Sequence, residues 1–284
     1  MKVERFRVKG FVVWSICALF FLYEFLLRTV IGTFQHPLMM DLDLSTFQFS
    51  LLSTTIFFLI YGAMQIPAGL IVDNIGLKKA MLLGCLTCTL ASFGFAYSYS
   101  YVFAVFFRLL MGLGASFGFI SLLISVYDWM PHRHSALFIG LSQFIGTLGP
   151  MLAAGPLDAM SESSAVNWRY VFLCLTMFGV GLVVLIFFFV ENNIEKAGEH
   201  TILKRPEKIF TSLIKLCSRS QPWIIACCSA SLYFTIEYLS ENEGKGFLLT
   251  KGISSNSASY MITFSWLGYA IGCPVWGYLS DFFQ

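Results

Sequence analysis

The chain is 284 residues long, with 57% apolar residues, 12% charged residues and a formal net charge of +2. A soluble globular domain carries about 25% charged residues, so water is not the principal solvent of this chain. Its basic residues are not gathered on one face with stacking aromatics, which argues against nucleic acid as a partner.

Crossing a hydrocarbon core about 30 Å thick takes roughly 20 consecutive apolar residues in a helix. Eight segments meet that length, at 11–32, 47–71, 79–98, 101–127, 135–156, 168–190, 222–241 and 257–280. Their length, their aromatic content and the absence of strict alternation predict helices rather than barrel strands. The expected fold class is all-α: a polytopic membrane protein in contact with the lipid bilayer.

The first segment follows Lys2, Arg5, Arg7 and Lys9. It is too long for a signal core, contains Glu24 and Arg28, and precedes no small-x-small cleavage pattern, so it reads as a span. Glu24 and Arg28 are four residues apart, next to Tyr23, and share one helical face with the acid preceding the cation. Two readings stay open: an ion pair that neutralises itself for insertion, or a charged site beside a cavity.

Between the second and third segments runs Gly69-Leu70-Ile71-Val72-Asp73-Asn74-Ile75-Gly76-Leu77-Lys78-Lys79. Cys85 and Cys88, in the third segment, have redox-motif spacing but sit in a membrane helix and read as small buried hydrophobes. The fourth carries Arg108-Leu109-Leu110-Met111-Gly112-Leu113-Gly114. An arginine at mid-membrane costs at least about 2.5–3.5 kcal/mol unless it faces protein or water. Gly112 with Ser116, and Gly114 with Gly118, offer small surfaces for close helix contact. Gln143 in the fifth segment is polar enough to line a cavity, and Gly149-Pro150 predicts a kink because proline removes a backbone donor.

The basic connection 191–221, with a stretch at 204–217 suited to an amphipathic helix on an anionic leaflet, divides the chain. Residues 1–190 are expected to form a six-helix bundle and 222–284 a partial bundle of two helices, the plan of a duplicated transporter. Tyr233 and Glu237 lie in the seventh segment, Trp266 and Tyr269 in the eighth. The chain closes on Gly277-Tyr278-Leu279-Ser280-Asp281, which repeats the start of the loop at 69–83 without completing it, so a truncation after the eighth helix is expected. His36, His132, His134 and His200 show no convincing metal-ligand spacing, and no nucleophile elbow, phosphate loop or catalytic dyad appears. No metal, cofactor or enzymatic activity is expected.

Basic residues set the orientation. Lys2, Arg5, Arg7, Lys9, Lys78, Lys79, Arg133 and the basic residues of 191–221 all fall on one side, against Arg169, Lys245 and Lys251 on the other. The amino terminus is therefore expected in the cytoplasm.

The Gly-x-x-x-Asp-x-x-Gly loop at 69–76 with Lys78 and Lys79, its partial repeat at 277–281, the arginine and glycines at 108–114 and the Gly-Pro run at 146–156 together resemble the major facilitator superfamily. The resemblance covers the whole chain as the first eight helices of a longer bundle, six from the first half and two from the second. It implies transport of a small solute by alternating access. It also implies a conformational latch at Gly69, Asp73, Gly76 and Lys78, in which Asp73 ties the first half to a helix near the carboxyl terminus. Asn74 and Leu77 stand where the family often has basic residues, which leaves Lys78 as the expected charge partner of Asp73.

The expected function is proton-coupled uptake of an organic anion or amino acid across a bacterial inner membrane. Arg28 and Arg108 are expected to face each other across a cavity and attract a carboxylate or phosphate. Tyr23 and Gln143 complete the expected substrate site, and Glu24 is the expected proton site, released when an anion occupies Arg28. A non-transporting remnant and a ligand-sensing membrane protein are the alternatives.

Overall fold

The computed structural model describes residues 8–162, 166–192, 214–215, 217–241 and 243–283. Helix α1 spans Val8–Thr33, and short helices α2 (Gln35–Asp41) and α3 (Thr46–Ser50) turn the chain back. Ser45 starts α3 with a reciprocal cap, its side chain accepting from the Gln48 backbone while the Gln48 side chain accepts from its own. One wide π turn at Leu51–Thr55 joins α3 to α4 (Ile56–Ile75). Then follow α5 (Leu77–Ala96), α6 (Tyr101–Trp129), α7 (Ser135–Leu152), a second π turn (Ala153–Leu157), α8 (Asp158–Glu162) and α9 (Trp168–Phe189). Helices α10 (Ser220–Glu241), α11 (Glu243–Thr250) and α12 (Ser255–Phe282) complete the described chain.

Among the described residues, six helical stretches are long and apolar enough, by length and composition, to cross a membrane: Val8–Thr33, Thr46–Ile75, Leu77–Ala96, Tyr101–Trp129, His132–Ser161 and Trp168–Phe189. The seventh and eighth expected spans form as α10 and α12, of 22 and 28 residues. They are less apolar than expected, because serines and tyrosines interrupt both and glycines also interrupt α12. The expected amphipathic helix at 204–217 falls largely outside the described residues.

Helix α6 is the hub of the first six spans, and its small residues say why. A Cβ on Gly112 would sit 2.9 Å from the Phe57 carbonyl of α4, one on Gly114 would sit 2.6 Å from the Gly84 carbonyl of α5, and one on Gly118 would sit 2.8 Å from Glu24 of α1. Each glycine therefore admits a different neighbour at backbone distance.

Two ends of the bundle are tied by polar contacts. At the end where α1 begins, the amino-terminal face, Asn192 follows α9 and accepts from the Lys78 backbone N–H at 3.0 Å, capping α5. Gly76 turns there with φ +84°, a conformation that favours glycine, and a Cβ would also strike Asn192. At the opposite face Asp41 accepts from the Trp168 indole at 2.8 Å, and Arg169 donates to the Ala96 and Ser98 carbonyls at 2.9 and 2.8 Å.

Helix α12 lies along α7. Gly140 and Gly277 let the two backbones touch, Gly140 against Cys273 and Pro274, and Gly277 against Ala136. Both ends of this pairing carry an acid. Asp281 accepts from the Ala136 and Leu137 backbone N–H groups at 3.1 and 2.8 Å, capping the amino terminus of α7 from another helix. At the opposite face Asp158 of α8 pairs with Lys245 of α11 at 2.5 Å and accepts from the Ser259 hydroxyl of α12.

Candidate functional site

Arg28 projects from α1 toward the second group of helices. Its residue is only 8% exposed, and its Nη2 donates to the Tyr233 hydroxyl of α10 at 2.9 Å. The guanidinium lies 3.9 Å from the centroid of the Phe25 ring and 5.2 Å from that of Phe58. Tyr233 meets Tyr269 of α12 edge-on at 6.3 Å, Tyr269 meets Trp266 at 6.1 Å, and Trp266 meets Phe25 at 6.0 Å. A cation is thus enclosed by aromatic side chains from α1, α4, α10 and α12. In such low-dielectric surroundings a planar guanidinium keeps its charge and binds oxyanions strongly.

Arg108 occupies a different position from the one expected. It is 0% exposed, with Nε donating to the Leu52 carbonyl at 3.1 Å and Nη1 to that of Leu27 at 2.8 Å. Its Nη2 donates to the carbonyls of Arg28 at 2.9 Å and Ser53 at 2.6 Å. Phe57 covers one face at 4.3 Å. The two arginines do not face each other across a cavity. Arg108 clamps the end of α1 to the π turn before α4, where the widened backbone presents carbonyls to an external donor.

The other expected residues are dispersed. Tyr23 is buried on the far side of α1, its hydroxyl 3.3 Å from Ser92 of α5 and its ring against Phe178 of α9. Glu24 is 1% exposed and presses on Gly118 of α6. Gln143 is half-buried and lines an open cleft of about 480 Å³ between α7 and α12, with Tyr269, Cys273 and Trp276 opposite. Only Tyr269 belongs to both the cleft and the aromatic enclosure of Arg28. Gly149 admits the backbone of α1 at Leu22 and Leu26, both 2.9 Å from a Cβ placed there, and Pro150 sits inside α7 three residues before the π turn.

The loop at 69–83 does not contain the expected ion pair. Asp73 is exposed, and the Lys78 ammonium lies over the Phe187 ring at 5.4 Å, because α9 and Asn192 draw that end of α5 toward themselves. A Cβ on Gly69 would meet nothing within 4 Å, in contrast to Gly277, its counterpart in the repeat. Tyr233 and the capping role of Asp281 were missed in sequence. Tyr233 stands in a helix rich in tyrosine and serine, and only the three-dimensional approach of α10 to α1 singles it out. The Glu237 side chain lies outside the described residues.

Comparison with known proteins agrees with this architecture. The family model described as Major Facilitator Superfamily matches residues 16–284, and the chain belongs to that superfamily of membrane transporters. It is 27% identical over 255 residues to a hexuronate transporter of Bacillus subtilis, covering 85% of this chain and 57% of that protein. It is 23% identical over 198 residues to a Cupriavidus necator protein named as a probable sulfoacetate transporter, covering 70% of this chain and 45% of that one. Its fold is similar to that of a bacterial homolog of the human lysosomal transporter Spinster in an inward-facing, unoccupied conformation. That likeness has a TM-score of 0.69 at 19% identity and covers 93% of this chain and 60% of the other. The chain spans about half the length of the curated relatives it matches.

Proposed function

We propose that the chain takes part in proton-coupled transport of a small organic anion, with Arg28 as the anion-binding cation. The observation that carries this reading is the aromatic enclosure of Arg28 at the meeting of α1, α4, α10 and α12. A carboxylate or sulfonate entering it gains charge-assisted hydrogen bonds in a water-poor site. Helices from both parts of the chain would then move together around the bound anion, as alternating access requires. The hexuronate and sulfoacetate named for two relatives are both organic anions, which supports this substrate class.

Glu24 lies one helical turn from Arg28 and is the proposed proton site. An anion held by Arg28 weakens the hold of that cation on the carboxylate, which favours protonation of Glu24. Solute and proton are thereby bound together. Arg108 supports the site by fixing the backbone of Arg28, and Gln143 lines the route between α7 and α12. Asp281 of α12, which caps α7, and Asp73, in its own copy of the loop, are the proposed latches of the amino-terminal face. The excess of lysine and arginine near that face supports a cytoplasmic side for it, in a bacterial inner membrane.

The test is binding and uptake of radiolabelled glucuronate by the full chain in proteoliposomes, with and without an inward proton gradient. Saturable binding that Arg28→Ala abolishes supports the reading, as does gradient-driven uptake that Glu24→Gln uncouples from protons. Binding without uptake favours a ligand sensor, and no binding of any organic anion defeats the proposal.

A further inference from the structure

Two buried polar atoms lie on the face of α6 that packs against α1. Ser121 is 0% exposed, and neither its Oγ nor the Nε1 of Trp129 has a hydrogen-bond partner among the described residues. The two helices run antiparallel in a register fixed at both ends. Gly118 of α6 receives Glu24, whose Oε1 would lie 3.4 Å from a Cβ there, and the Trp129 carbonyl would lie 2.9 Å from a Cβ on Gly10. Steps of three and four residues from Gly118 put Ser121, Ser125 and Trp129 on one helical face. Ser125 is also buried and donates to the Leu122 carbonyl at 2.7 Å, which leaves its oxygen able to accept. The line runs from Glu24 to the amino-terminal face.

A buried hydroxyl left without a partner costs about 1–3 kcal/mol. Proteins commonly meet this cost with ordered water bonded to several such groups. Here the groups form a line that begins at a carboxyl group, in a seam where Cys17 of α1 faces Ser125. In the other direction the seam meets Arg28 and Arg108, whose fixed positive charges oppose passage of a proton. Among the titratable groups facing this line, Arg28 lies one turn from Glu24 on its own helix, Cys88 of α5 interacts with Glu24, and Cys17 of α1 faces Ser125.

We propose that ordered waters in the α1–α6 seam, with the hydroxyls of Ser121 and Ser125, conduct the Glu24 proton to the amino-terminal face. The inference rests on Glu24 as the proton site. The O–H bond of the Glu24 carboxyl breaks and its proton passes to a seam water, leaving a carboxylate. Each hydroxyl in turn accepts one proton and gives one up, and the last water releases a proton to bulk solvent. No electrons are transferred, and the chain of hydroxyls returns to its starting state by rotation of its O–H bonds.

The test is hydrogen–deuterium exchange of the Glu24 carboxyl, followed by infrared spectroscopy on the full chain in lipid nanodiscs. The carboxyl band is assigned by its loss in Glu24→Gln. Ser121→Val fills the seam and Ser125→Ala removes a hydroxyl without adding bulk, and each is expected to slow exchange by about tenfold or more. Ser121→Thr keeps the hydroxyl and is expected to exchange as the wild type does. Wild-type exchange rates in both Ser121→Val and Ser125→Ala overturn the proposal. No Glu24 carboxyl band in the wild type at any pH removes the proton-site reading itself, and the pathway with it.

Discussion

The Nη2 group of Arg108 donates to the backbone carbonyl of Arg28 at 2.9 Å, so one buried arginine supports the main chain from which the other reaches its site. The cost of burying Arg108 is offset by four carbonyl acceptors, each a charge-assisted bond in a medium of low dielectric. Its place is structural: it fixes the backbone from which the Arg28 side chain extends.

Replacing Arg108 should therefore damage the fold before it damages binding. Arg108→Gln removes the charge-assisted donors and leaves carbonyls of α1 and of the π turn before α4 unsupported, with an expected loss of about 3 kcal/mol or more. Thermal unfolding in detergent measures it. Arg108→Lys should recover only part of the loss, because an ammonium cannot reach acceptors on two helices in the fork geometry of a guanidinium.

The cap that Asp281 gives α7 predicts a local opening. Asp281→Ala leaves the N–H groups of Ala136 and Leu137 without their acceptor, at an expected cost of about 1–2 kcal/mol. Cys273, which lines the cleft between these helices, should then react faster with a maleimide in a background where the exposed cysteines Cys174, Cys217, Cys227 and Cys228 are serine. An unchanged rate would show that α12 is held on α7 by packing alone.

At the other end of the same helix pair, Asp158 and Lys245 approach to 2.5 Å with side chains 10% and 26% exposed. A double-mutant cycle with Asp158→Asn and Lys245→Met should give a coupling energy of about 1–3 kcal/mol. The charge swap Asp158→Lys with Lys245→Asp should recover part of the stability lost in either single variant, and failure to do so would assign the cost to Ser259 instead.

Much of the architecture was legible because membrane solvation writes strong signals into sequence. Apolar runs located all the long helices, with ends displaced by a few residues, since an apolar span must satisfy its backbone internally. The polarity of α10 and α12 was underestimated because their serines and tyrosines are spread thinly through apolar runs. The site was less legible. An intramembrane arginine announces that it needs a partner, but not which one: Arg108 takes a row of carbonyls, whereas Arg28 takes a tyrosine hydroxyl and aromatic rings. The Asp73–Lys78 pairing failed for a related reason: Asn192, more than a hundred positions away, caps α5 and sets the geometry of that turn.

Glycine contacts give a paired test of the packing. Gly114→Ala places a methyl 2.6 Å from the Gly84 carbonyl and 2.7 Å from the Cys88 sulfur, and should destabilise by about 1–3 kcal/mol. Gly69→Ala meets nothing within 4 Å and should be neutral or stabilising by up to about 1 kcal/mol. Melting temperatures of the two variants should move in opposite directions or differ by several degrees.

The most direct test of the proposed function is equilibrium binding of glucuronate to the full chain in nanodiscs, compared across wild type, Arg28→Ala and Tyr233→Phe. Saturable binding lost in Arg28→Ala and weakened about ten- to a hundredfold in Tyr233→Phe, the worth of one hydrogen bond to a charged group, is the predicted result. Equal binding by wild type and Arg28→Ala would contradict it, and would place the anion site elsewhere than in the aromatic enclosure.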